Sequence, residues 1–201
     1  MVNSKIFDLL IQANAIELGG HYEIFPNTYS PIYFDFRKFF ENPRLFDILT
    51  DLLADVTREI NPEKIAGAFT SGIPLATAIS LKTNLPIVFV RRQPKEYGSR
   101  AMIEGTVKEG ENVMIVDDIF STLKNNEAYI NALRSAKANV RYFLVIFDYG
   151  MTPPEKLLEA GIEVISLITA KDLLIKLEKW GKITKEERME YMRILKYSKV
   201  F

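Results

Sequence analysis

From Lys64 onward the chain alternates short apolar runs with amphipathic stretches, and no other feature limits its fold so sharply. The runs KIAGAF, PIVFV, NVMIVD, VRYFLVIF and IEVISLI are separated by helical spacing at 73–83, 123–138 and 154–160. Near-continuous apolar runs suit strands buried on both faces, and intervening helices supply the cover. The pattern therefore predicts an α/β fold with a mostly parallel central sheet flanked by helices on both faces. In such sheets ligands sit at the carboxyl ends of the strands. The loops after Phe69, Val90, Val116 and Phe147 are the places to look.

The segment before Lys64 reads as an appendage. Asn3 or Ser4 is placed to cap a helix in which Ile6, Phe7, Leu9, Leu10, Ala13 and Ile16 recur at helical spacing, with Gly19 and Gly20 ending it. Extended pieces are expected at His21–Phe25 and Pro31–Phe36, and Asn42-Pro43 opens a further helix. A helical region from Ala170 to Lys196, interrupted near Gly181, closes the chain. With no repeats or linker-like tracts, residues 1–201 read as one domain, with 64–168 as the sheet core and 170–201 as a carboxy-terminal helical region.

Composition excludes several classes of function. The 26 basic and 26 acidic residues cancel, so an anion site must come from local clustering rather than from a global field. The stretch from Lys176 to Lys199, with eight positive and four negative residues, raises a nucleic-acid partner, but a solvated amphipathic helix explains it better. Without cysteine there are no disulfides and no thiolate chemistry. No apolar run approaches a membrane span, and the amino terminus is unlike a signal peptide, so a cytoplasmic location with no membrane partner is expected.

The segment VMIVDDIFSTLKNNEAY is the most informative. Val113 to Val116 is expected to deliver Asp117 and Asp118 to a strand end, with Ser121 and Thr122 before a helix. Adjacent carboxylates there accept from sugar hydroxyls or hold a divalent cation. Hydroxyls and free N–H groups at a helix start suit a phosphate. The plainer reading of an Asp-Asp pair after a strand is a turn and helix cap.

The surrounding residues add to this. The stretch resembles the phosphoribosyl pyrophosphate motif of type I phosphoribosyltransferases, in which two acids are followed, after two positions, by Thr-Thr-Gly-Gly-Ser or Ser-Thr-Gly-Gly-Ser. Asp117, Asp118, Ser121 and Thr122 match, whereas Leu123, Lys124 and Asn125 stand in place of Gly-Gly-Ser. Lys124 offers a charge and Asn125 a side-chain donor in exchange.

Three further segments resemble the orotate branch of that family. SPIYFDFR matches the Ser-Pro-x-Tyr-x-Asp-x-Arg segment bordering the base pocket, which places Tyr33 and Phe34 where family aromatics line the pyrimidine. AGAFTSGIPLATAIS is similar to the pyrophosphate loop, with Thr70, Ser71 and Gly72 at the strand-to-helix turn. FVRRQPKEYGSRAMIEG resembles the mobile catalytic loop: Arg91, Lys95, Gly98, Ile103, Glu104 and Gly105 match, and Tyr97 replaces a histidine. Residues 91–100 hold Arg91, Arg92, Lys95 and Arg100 against Glu96, a local excess of three positive charges suited to a leaving pyrophosphate. After the later strand some members carry Asp-Arg, the arginine helping to bind the orotate carboxylate, and others Phe-Thr-Tyr-Gly. Phe147, Asp148, Tyr149 and Gly150 follow the second form, which leaves the carboxylate reader open.

The resemblance implies a type I phosphoribosyltransferase fold with residues 1–40 contributing much of a hood over the base pocket. It implies transfer of phosphoribose from phosphoribosyl pyrophosphate to orotate. Mg2+ would be held mainly by substrate and water near Asp117 and Asp118, with no direct protein ligand. Lys95, helped by Arg91 and Arg92, would meet the leaving charge from a loop, 93–104, shared across a homodimer. His21, the only histidine, matches no catalytic position and reads as structural. Two rivals are a salvage enzyme for another base, which the match at SPIYFDFR argues against, and a catalytically impaired paralogue acting as a nucleotide-binding or regulatory protein.

Overall fold

A computed structural model describes residues 4–25, 28–91, 93 and 102–197. The amino-terminal helix α1 (Ser4–Gln12) is shorter than its apolar spacing predicts. Asn14 takes a left-handed conformation, φ 50°. Ala15 N–H then donates to Leu10 O at 3.0 Å and Asn14 N–H to Ile11 O at 3.1 Å, closing the helix well before Gly19. The chain continues as β1 (Ile16–Phe25), paired antiparallel with β2 (Thr28–Phe34). Gly19 and Gly20, expected as a helix stop, lie inside β1 instead, where the register shifts between Leu18 and Tyr22 and Gly19 has φ +79°. Pairing with β2 overrides the local helical period, and glycine accommodates the bulge.

A 3-10 turn (Phe36–Glu41) leads into α2 (Pro43–Ile60), whose Asn42 cap accepts from Leu45 N–H at 3.2 Å. The core then runs β3 (Lys64–Ala68), α3 (Gly72–Thr83), β4 (Ile87–Val90), β5 (Ile103–Glu104), β6 (Val113–Phe120), α4 (Leu123–Ser135), β7 (Tyr142–Asp148), α5 (Pro154–Glu159) and β8 (Glu163–Thr169). Two helices, α6 (Ala170–Lys179) and α7 (Lys185–Tyr197), follow with the expected break at Gly181. All five expected core strands are present. The short β5 was not expected, and its antiparallel pairing with β4 is the exception in an otherwise parallel sheet of order β5-β4-β3-β6-β7-β8.

That order places the functional crevice. The chain leaves β3 toward β4 on one side and returns to β6 on the other, so the order in which strands are added reverses between the parallel neighbours β3 and β6. The last pair between them is Gly67 with Val116, whereas β6 continues beside β7 as far as Phe120. The acidic pair therefore sits within a strand that overhangs its neighbour, not beyond the strand end at Val116 as expected. One face of the sheet is covered by α1, α2, α3, α6 and the β1–β2 hairpin through Leu10, Leu53, Leu75, Leu173 and Phe34, the other by α4 through Ile130 and Leu133. Lys64 Nζ, at the foot of β3, donates to Thr106 O and Glu111 Oε2, each at 2.7 Å, and so ties the segment after β5 to the sheet.

Candidate active site

The turn between β3 and α3 is built by close approach of two backbones. A Cβ at Gly72 would lie 2.2 Å from Val116 O and 3.2 Å from Asp117 Cα, so only glycine lets the first turn of α3 rest on β6. Gly72 N–H thereby lies near the Asp117 carboxylate and favours its charged form, and that carboxylate accepts from Asp118 N–H at 2.9 Å. Ser71 does not cap its own helix; its hydroxyl lies near the Asp118 carboxylate and favours the charged form. Burial, with the neighbouring Asp118 charge second, pushes the Asp117 carboxyl well above the usual carboxylate range, and burial likewise raises Asp118. Two acids so placed share their charge poorly until a cation or hydroxyl donors arrive.

The turn after β6 is closed by side chains. Thr122 caps α4, its Oγ1 accepting from Asn125 N–H at 3.3 Å, and Asn125 Nδ2 donates to Ser121 Oγ at 3.0 Å. Leu123 N–H donates to Thr152 Oγ1 at 2.9 Å, while its side chain packs against the buried core on the α4 face. Two N–H groups expected to be free for a phosphate are thus engaged within the protein. Lys124 is exposed.

These turns open on a cleft of about 1010 Å³ that also reaches the hairpin. Of the residues expected in the site, Tyr33, Phe34, Thr70, Ser71, Asp117, Asp118, Ser121 and Asn125 line it together. Gly72, Thr122 and Lys124 flank it rather than line it. Arg91 lies off the cleft, its Nε donating to Glu104 Oε1 at 2.8 Å across the β4–β5 pair. Arg92 and Lys95 lie outside the described residues, as does most of the loop 93–104. His21 stacks on Tyr29, centroids 4.3 Å apart, away from the cleft.

Several lining residues were not singled out from sequence. Asp35 and Arg37 were visible inside SPIYFDFR, yet only the fold shows both on the cleft wall. Arg37 Nε donates to Asp35 Oδ1 at 2.7 Å and Nη2 to Tyr33 OH at 2.9 Å. Tyr149 stands end-on to Phe147, 4.9 Å between centroids; burial pushes its phenol far up, with Tyr33 and Asp118 adding to the shift. Tyr129 donates to Phe69 O at 2.7 Å and so braces the turn between β3 and α3 from α4. No local signal in the α4 sequence could have assigned it to this cleft.

No family model matches the chain. An orotate phosphoribosyltransferase from Natronomonas pharaonis is 35% identical over 174 residues, covering 87% of this chain and 98% of that protein. The chain belongs to the orotate phosphoribosyltransferase family. Solved structures agree with that membership: orotate phosphoribosyltransferase from Aeropyrum pernix superimposes with a TM-score of 0.75 at 29% identity, covering 87% of this chain and 98% of that one. UMP synthase from Leishmania donovani gives a TM-score of 0.81 at 27% identity over 96% of this chain, which spans only 42% of that longer polypeptide. The fold is that of the type I phosphoribosyltransferases. No helix among the described residues is long and apolar enough to cross a membrane.

Proposed function

We propose that this protein transfers phosphoribose from phosphoribosyl pyrophosphate to orotate, giving orotidine 5′-monophosphate and pyrophosphate, the step that supplies the nucleotide in de novo pyrimidine synthesis. The observation that carries this reading is the convergence of Tyr33 and Phe34, the Thr70–Ser71 turn, Asp117 with Asp118, and Ser121 with Asn125 on one cleft at the sheet's switch point. Displacement at an anomeric carbon needs charge stabilisation more than proton transfer. Asp117 and Asp118 accept the ribose hydroxyls and orient the ring. The Thr70–Gly72 turn receives the pyrophosphate, and Ser121, Thr122, Lys124 and Asn125 face the 5-phosphate, which displaces the long Thr122–Asn125 bond. Tyr33 and Phe34 bound the flat pyrimidine.

No group of three or more acids or histidines forms a metal cage among the described residues. Two adjacent carboxylates beside a phosphate site instead suit a cation that keeps its water and substrate ligands. Mg2+ bound there with pyrophosphate would supply positive charge that keeps both acids ionised and offsets the leaving group. Lys95 and Arg92 meet the developing charge, joined by Arg91 once it leaves its pairing with Glu104, and loop 93–104 reaches a neighbouring subunit in a cytoplasmic homodimer that acts as one domain per chain.

The test is loss of orotidine 5′-monophosphate on addition of pyrophosphate and magnesium. Consumption with release of orotate supports the reading. A folded protein that binds the nucleotide without consuming it would instead be the non-catalytic relative. For the shared loop, Lys95→Ala subunits mixed with Asp117→Asn/Asp118→Asn subunits should regain activity as hybrids; no recovery after confirmed subunit exchange would count against it.

A further inference from the structure

We propose that Arg37 is the group that reads the carboxylate of the pyrimidine and so sets the preference for a 6-carboxylated base, an inference that rests on the transferase reading above. Both substrates in that reading are anions, yet the described residues lining the cleft include four acids, Glu23, Asp35, Asp117 and Asp118, and a single cation, Arg37. Tyr149, which follows β7 and lines the same cleft, brings a phenol and no charge. A carboxylate entering beside Tyr33 and Phe34 therefore has one fixed positive partner among them.

The geometry of that partner is prepared. Asp35 caps the 3-10 turn and accepts from both the backbone N–H of Arg37 at 3.2 Å and its Nε at 2.7 Å, so one carboxylate oxygen holds the residue at two points. Arg37 Nη2 donates to Tyr33 OH at 2.9 Å. Nε and Nη2 share one edge of the planar fork, and these two bonds occupy it. The end-on edge, Nη1 with the outer hydrogen of Nη2, takes no partner among the described residues and is open to a bidentate carboxylate. Tyr33, having accepted from Arg37, has its own hydroxyl proton left to donate toward the same ligand. The Arg37 side chain is 59% exposed, whereas the Asp35 side chain that anchors it is 17% exposed, so the anchor is covered and the reading edge is reachable.

Orotidine 5′-monophosphate and uridine 5′-monophosphate differ only by the carboxylate, which makes their affinity ratio the readout. Calorimetry on the full chain with magnesium present should show the wild type preferring the carboxylated nucleotide. Arg37→Gln should lose about 10- to 100-fold in affinity for orotidine 5′-monophosphate while uridine 5′-monophosphate is unchanged, and Arg37→Lys should recover part of the preference because it keeps the charge and loses the fork. Equal loss for both nucleotides would mean that Arg37 acts only by holding Asp35 and Tyr33, and an unchanged ratio would mean that the carboxylate is read elsewhere; either overturns the inference and leaves the transferase reading standing. A folded wild type that binds neither nucleotide would sink both.

Discussion

The two turns that flank the switch point are held by different means. After β3, the turn at Ser71 and Gly72 rests directly on the backbone of β6, and a single Cβ would meet Val116 O at 2.2 Å. After β6, the turn from Ser121 to Asn125 is closed by Thr122 and Asn125 side chains and by Thr152, with Leu123 turned into the core. Where backbone meets backbone the residue choice is forced. Where side chains cap a helix, several solutions close the same turn, and this is where the chain departs from the family's Gly-Gly-Ser. The departure is thus confined to the turn whose geometry tolerates it.

The largest effect should come from Gly72→Val. The added atoms have only backbone to push against, so the urea midpoint should fall by an amount equivalent to about 3 kcal/mol. A loss no greater than that of Leu123→Ala would erase the contrast between the turns.

Restoring the family's loop by Leu123→Gly, Lys124→Gly and Asn125→Ser should work in two directions. Two glycines in the first turn of α4 and the lost Leu123 packing should lower stability by about 2 kcal/mol. Freed N–H groups should at the same time tighten binding of phosphoribosyl pyrophosphate, measured by calorimetry. If Lys124→Gly alone weakens binding, and more so at low salt, Lys124 has taken over the phosphate contact. Equally tight binding in the wild type, the triple variant and Lys124→Gly would mean that this turn does not touch the phosphate.

Asp117→Asn should raise the melting temperature at neutral pH. The Asp117 carboxyl has its folded pKa raised well above the unfolded value near 3.8, so the folded state holds the extra proton between those two values. The stability this contributes is fully present below about pH 3.8 and is lost as pH rises through the folded pKa. At neutral pH folding of the wild type must either bury the Asp117 charge or take up a proton against the solution pH, a cost that asparagine avoids while its Oδ1 still accepts from Asp118 N–H. The gap in melting temperature should close as pH is lowered toward that window. A variant less stable than wild type at pH 7 would contradict the raised pKa. The smallest effect belongs to Thr122→Ala, about 0.5–1 kcal/mol for a cap bond already long at 3.3 Å.

Much of this was legible in the sequence because its signals are local or periodic. Apolar runs long enough for buried strands gave five core strands, and Asn42-Pro43 marked the start of α2 through a cap and a fixed φ. The end of α1 was misplaced because Ala13 and Ile16 continue a helical period; the left-handed Asn14 and the pairing of β1 with β2 decide otherwise, and that pairing is nonlocal. The extension of β6 to Phe120 was missed for a related reason, since only contact with β7 supports a strand through two acids. In the cleft, the acidic pair and the Thr70–Ser71 turn announce themselves by residue type. Arg37 and Tyr149 do not, because an arginine near an aspartate and a tyrosine after a strand are commonplace until the fold brings them to one cleft.

We propose that the carboxylates overhanging β3 hold the ribose side of a transferase site. The most direct test is orotate-dependent release of pyrophosphate from phosphoribosyl pyrophosphate, measured side by side in the wild type and in Asp117→Asn/Asp118→Asn, both shown to be fully folded at the assay temperature. The account predicts turnover in the wild type and a loss of about 100-fold or more in the double variant, consistent with removal of groups that act on developing charge. Equal turnover in the two proteins, or none in a folded wild type supplied with both substrates and magnesium, would contradict it.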